Sequence, residues 1–137
     1  MSWDILLCRL PDVQSIDDVP KDFQPPSLGR REELIGKIIA AYLDTDFSDP
    51  SLGVLETSEW VIEIATSREE DCDSIMVRVL GNGADAVRAI AHLIAILGCR
   101  GYDCSTGELF TLEAGTRSFM AFQQYRDQAL KSSSSLS

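Results

Sequence analysis

Between Arg30 and Leu43, apolar side chains fall at positions 34, 35, 38, 39, 42 and 43. This i, i+4, i+8 stripe predicts an amphipathic helix lying on a core. Gly36 falls on its polar side, where it weakens the helix without disturbing packing. A different period begins at Glu59. Trp60, Ile62 and Ile64 alternate with Val61, Glu63 and Ala65, the period of two of a half-buried strand. Residues 74–81 repeat it, with Ile75, Val77 and Val79 on one face and Met76 and Arg78 on the other. The polar stretch 67–73 joins the two, which predicts an antiparallel hairpin with Glu63 and Arg78 toward solvent.

Weaker patterns fill in the rest. Residues 3–10, "WDILLCRL", are apolar and stop at Pro11, as a first strand would. Pro11, Pro20, Pro25, Pro26 and Gly29 make 11–29 a long loop, with Val13, Ile16, Val19, Phe23 and Leu28 available to pin it to the core edge. A short strand is expected near Gly53–Glu56. Residues 84–98 read as a helix that stops at Gly98; its polar side chains Asp85, Arg88 and His92 share one narrow stripe. It is more apolar than one buried face requires, so a second element or a second subunit should cover it. A strand over 108–112 and a helix over 116–131 follow. Thr116 is the expected cap of that helix, and Phe119, Phe122, Ala129 and Leu130 are expected to point inward. The pattern predicts a single α+β domain over 1–131 and a disordered serine tail over 132–137. Its architecture should be a two-layer sandwich, one mainly antiparallel sheet of four to five strands with two to three helices packed on it.

Charge sharpens this picture in one place. The 137 residues carry a net charge of −10, and residues 44–73 hold ten acids (Asp44, Asp46, Asp49, Glu56, Glu59, Glu63, Glu69, Glu70, Asp71, Asp73) against Arg68 alone. A chain so acidic should repel DNA, RNA and anionic membranes. No apolar run is long enough to cross a bilayer. The start, "MSWDILLCRLPD", has Asp4 and no basic cluster, unlike a secretory signal. Four irregularly spaced cysteines fit free thiols in a reducing cytoplasm.

Candidate chemistry is sparse. Asp44, Asp46 and Ser48 imitate the first positions of a calcium loop, but Asp49 stands where glycine is needed and Leu55 where glutamate is. Asx-type turns built by Asp46 and Asp49 explain those acids better. Cys99, Cys104 and His92 fall short of the two close ligand pairs of a structural zinc site. The junction "LGNGADAV", residues 80–87, lacks the lysine and third glycine of phosphate-binding loops. The turn "DCSTGE", residues 103–108, offers Asp103, Ser105, Thr106 and Glu108 as donors and acceptors. With His92 it forms the best small-ligand or catalytic alternative, although an ordinary turn explains it too. No metal or cofactor is expected.

Taken together, "MSWDI", "DFSDPSLGVLE", "EWVIEI", "DSIMVRVLGNG" and "DCSTGELF" resemble, in order and spacing, a family of small, mostly uncharacterised bacterial proteins that open with Met-Ser-Trp-Asp. The resemblance covers most of residues 1–112 and implies a bacterial cytoplasmic protein. It carries no catalytic residue over, and "RVLGNG" stands where the family pattern has an "HVRGG"-like turn. The expected function is a non-enzymatic protein-binding module, an immunity protein neutralising a basic toxin. Its contact surface would comprise Asp44, Asp46, Asp49, Glu56, Glu59, Glu63, Glu69, Glu70 and Asp71, with Trp60 as anchor if its ring is exposed. A homodimer with a structural role, motivated by the apolar surplus of 84–98, is a further alternative.

Overall fold

A computed structural model describes residues 2–81 and 85–135. Along the chain run β1 (Trp3–Cys8), a 3-10 turn (Ile16–Asp18), β2 (Gly29–Arg30), α1 (Arg31–Ala41), β3 (Asp46–Asp49), β4 (Leu52–Glu56) and β5 (Trp60–Ala65). There follow β6 (Asp71–Cys72), β7 (Ser74–Gly81), α2 (Asp85–Leu97), β8 (Arg100–Asp103), β9 (Glu108–Leu109) and α3 (Leu112–Ser135). The α+β class and three helices match expectation, but the sheet is larger than four to five strands. Seven strands stand in the order β3-β4-β5-β7-β1-β8-β9, each neighbouring pair antiparallel. β2 and β6 form a separate two-stranded ribbon.

The alternation read from the sequence sets which face is covered. Trp3, Ile5 and Leu7 of β1, Ile62 and Ile64 of β5, and Ile75, Val77 and Val79 of β7 are buried. They form one cluster with Leu34 and Ile38 of α1, Ile90 and Leu93 of α2, and Phe119 of α3. Burying each such large aliphatic side chain contributes about 1.5–3 kcal/mol. All three helices therefore lie on one face. α2 touches both α1 and α3, and its flanking Ala91, Ile94 and Ile96 pack against the same core. The apolar surplus of α2 is thus absorbed within the chain.

The opposite face is only partly covered. The loop after β1 folds back so that Ile16, Val19, Phe23 and Pro25 face Leu6, Cys8 and Tyr102. Arg100 fastens it, its guanidinium donating to the carbonyls of Pro11 (3.0 Å) and Val13. Leu28, at the far end, is buried, and its amide donates to the Cys72 carbonyl at 2.7 Å.

Two boundaries differ from the sequence reading for one packing reason. Phe110 follows β9 with its amide still donating to the Gly101 carbonyl of β8 at 2.7 Å, and a Cβ added at Gly101 would lie 2.9 Å from its Cβ. A Cβ at Gly115 would overlap the Phe110 ring outright. Gly115 is thus a contact point inside α3 rather than a break before it. The helix starts at Leu112, and the Thr111 hydroxyl accepts from the Ala114 amide at 3.0 Å as its cap. Thr116, the expected cap, instead lies one turn in, donating to the Leu112 carbonyl at 2.7 Å. Phe119 is buried and Phe122 half-buried. The inward placement expected of Ala129 and Leu130 lies outside the described side chains. α3 runs to Ser135, into the serine stretch expected to be disordered.

Candidate functional site: the acidic end of the sheet

The acidic segment builds one edge of the sheet and the turns at its two ends. β3 is the edge strand, pairing with β4 through Asp46↔Val54 and Asp49↔Leu52. Its acids fasten the backbone locally. The Asp46 carboxylate accepts from the Ser48 amide (2.8 Å) and hydroxyl (2.5 Å), and Asp49 accepts from the amide (2.9 Å) and hydroxyl (2.7 Å) of Ser51. These are the expected Asx turns. Bonds from the Ser48 hydroxyl, and then its amide, hold the Asp46 carboxyl below its ordinary 3.8. Ser51 does the same for Asp49, with smaller help from Arg68 and Arg31.

The Glu56–Trp60 turn is held by Thr57. Its hydroxyl donates to the Trp60 carbonyl (3.2 Å) and accepts from the amides of Glu59 (3.3 Å) and Trp60 (3.2 Å). Nine of the ten acids in 44–73 are exposed; the tenth, Glu63, is half-buried on β5 opposite Arg78. Besides Arg78, arginines attend one end of this band. Arg31 donates to the carbonyls of Ser67 (3.2 Å) and Arg68 (3.3 Å), and Arg30 stands in register with Asp71. Antiparallel pairing of β3 and β4 brings Asp44 and Asp46 toward Glu56 and Glu59 at the other end. Within 44–73 the sole base, Arg68, lies at the Asp49 end.

Trp60 does not serve as the expected anchor. Its position shares parity with Ile62 and Ile64, so its ring turns to the helix-covered face and is 8% exposed. It is one of the residues lining a shallow recess of about 310 Å³, with Glu56, Glu59 and Leu80. Glu56 and Glu59 stand there beside the aliphatic Val61 and Leu80.

The 103–108 turn is organised around a buried carboxylate. Asp103 (3% exposed) accepts from the Trp3 indole at 3.2 Å, the Ser118 hydroxyl at 2.5 Å, and the Ser105 amide and hydroxyl at 2.9 and 2.6 Å. Its oxygens are committed to joining β1, β8 and α3. Trp3 and Ser118 carry no sequence mark of this role, since they lie 100 and 15 residues away. His92 belongs elsewhere, its Nδ1 3.1 Å from the Tyr42 hydroxyl on the α1 side of α2. The structure joins Ser105 to Asp103 but places His92 with Tyr42 instead.

Burial pushes the Cys99 thiol up to about 12, with a smaller push from Cys8 opposed by Arg9. Cys104 is also raised, chiefly by desolvation and then by Asp4 and Asp103, and Cys8 by desolvation alone. All four cysteines are free. Among the described residues, no three His, Cys, Asp or Glu side chains are grouped as a metal ion would need, and no helix is long and apolar enough to cross a membrane. The glycine junction considered for anion binding includes Asn82, Gly83 and Ala84, which lie outside the described residues.

The chain matches no protein-family model, and no curated protein is found to be similar to it. Roles for its residues therefore rest on geometry and charge.

Proposed function

We propose that this chain is a protein-binding module that recognises a basic partner through its acidic sheet end, acting in a bacterial cytoplasm as an immunity protein against a toxin. One observation carries the reading: the segment 44–73 holds nearly all of the net charge and exposes nine of its ten acids on a hydrogen-bonded edge and turns. Charges fixed on a rigid frame lose little freedom on binding, and a concentrated negative field speeds encounter with a cationic surface. A cationic nuclease is the toxin class that fits. Asp44, Asp46, Glu56 and Glu59 form the part least offset by arginine, and we place the centre of the contact there. Asp49, Glu63, Glu69, Glu70 and Asp71 extend it.

The test uses the tagged full chain as bait in an extract of its native host at low salt, beside a variant carrying Asp44→Asn, Asp46→Asn, Glu56→Gln and Glu59→Gln. A basic protein should be retained by the wild type and lost by the variant, and co-expression of the wild type should relieve that protein's toxicity. Equal retention by both baits, or no retained basic protein, would overturn the reading.

A further inference from the structure

Register sorts the face opposite the helices into rows. One row runs Asp46, Val54, Glu63, Arg78 and Asp4, from β3 through β4, β5 and β7 to β1. The next runs Asp49, Leu52, Ala65 and Met76, and on the other side Glu56, Val61 and Leu80 share a row. Leu52, Val54, Val61, Ala65, Met76 and Leu80 thus make an aliphatic strip on β4, β5 and β7, each of them half-buried. Among the described residues, none of the six belongs to the core cluster or packs against it. Exposed acids border one side of the strip, Asp46 and Asp49 on β3 with Glu56 at the end of β4. On the other side the strip ends where the loop after β1 stands over Leu6 and Tyr102.

Width and bonding limit what can lie there. Three neighbouring strands span about 10 Å from first to last, enough for one α-helix. β4, β5 and β7 each have a paired strand on both sides, so no segment can join the sheet as a strand here. An extended segment laid flat on the strip would leave its own N–H and C=O groups against aliphatic side chains. A helix satisfies those groups internally. Such a helix needs an apolar stripe for the strip and cationic side chains on the flank beside Asp46, Asp49 and Glu56. Arg78 does not oppose it, because its row holds three acids, Asp46, Glu63 and Asp4, against that one base.

We propose that the partner's contacting element is an amphipathic α-helix rich in lysine or arginine, lying along this strip beside the β3 edge. The proposal rests on the basic-partner reading and adds the apolar half of the same contact. Charge brings the helix to the β3 side, and the strip selects those cationic segments whose apolar residues fall on one face.

Two labelled peptides of about 18 residues, made of leucine and lysine in the same proportions, serve as probes. In one the leucines recur at i, i+3, i+4 and i+7; in the other they are spread round the helix. Both are kept dilute enough to stay monomeric and are titrated at low salt with the full chain, read by fluorescence anisotropy. The patterned peptide should bind at least about tenfold tighter than the spread one. A variant carrying Val61→Thr, Met76→Gln and Leu80→Gln changes no charge. It should abolish that advantage while binding the spread peptide as the wild type does, which also shows that the variant is folded. Neutralising Asp44, Asp46, Glu56 and Glu59 should weaken both peptides. Equal binding of the two peptides by the wild type, or an advantage that survives the triple variant, overturns the proposal and leaves the acidic surface standing. Peptides that both ignore the four neutralised acids overturn the basic-partner reading and the proposal with it. Sedimentation showing a wild-type dimer that the triple variant dissociates would assign the strip to a second copy and also overturn the proposal.

Discussion

Asp103 shows how one side chain can look like a site and act as a fastener. Its carboxylate sits at an inward position of β8 and is paid for by four donors drawn from three separate parts of the chain. Asp103→Ala would leave the Ser105 amide without its acceptor and the Trp3 indole with the Ser118 hydroxyl alone, a loss of about 2–4 kcal/mol. The urea midpoint should fall accordingly, with Asp103→Asn intermediate. An unchanged midpoint would mean that water replaces the carboxylate freely.

The thiols make a second residue-scale prediction. A folded-state value raised above the unfolded one gives stability that is whole below the unfolded value and is lost as pH rises through the folded one. For Cys99 that window runs from its ordinary 9.0 to about 12, and Cys8, Cys104 and Tyr42 shift the same way. Stability should therefore decline as pH rises above 9.0, less steeply in Cys99→Ala. At pH near 8 the folded Cys99 thiolate should be about two to three orders of magnitude scarcer than in the unfolded chain, so its alkylation should be correspondingly slow.

Among the elements, glycines divide by what surrounds them. Gly36 is exposed on α1 with nothing within 4 Å of an added Cβ, so Gly36→Ala should stabilise by up to about 1 kcal/mol. Gly115→Ala should cost about 1–3 kcal/mol despite the better helix former, because the Phe110 ring occupies the space. Gly53→Ala should behave likewise, since the Phe47 ring of β3 lies over Gly53 of β4. Thermal unfolding of the three variants gives the signs directly.

Those same contacts mark where the sequence was readable. α1, α2, β5 and β7 announce themselves because their buried positions are filled by regularly spaced aliphatic residues. β8 does not, because its two buried positions hold Gly101 and Asp103, which carry no apolar signal. β3 reads as a turn because its acids do make turns while its backbone also pairs. α3 is four residues longer at its start than its pattern suggests, because a glycine needed for contact looks like a stop. In the candidate site the acids and their exposure were legible from composition. The burial of Trp60 followed from strand parity, once the whole strand is assigned to one face. The partners of Asp103 could not be read, since they depend on long-range packing.

At the scale of the whole molecule, the chain combines one continuous core with an uneven distribution of charge. The core fixes the sheet, and the sheet turns a sequence cluster of acids into a surface with a basic-attended end and a basic-poor end. Specific recognition by such a surface must weaken as salt rises. The decisive measurement is the affinity of the purified chain for the basic protein it retains, taken from about 50 to about 500 mM salt. The account predicts at least about a tenfold fall in affinity over that range, and loss of binding at low salt when Asp44, Asp46, Glu56 and Glu59 are neutralised. An affinity that ignores both salt and those four substitutions would contradict it.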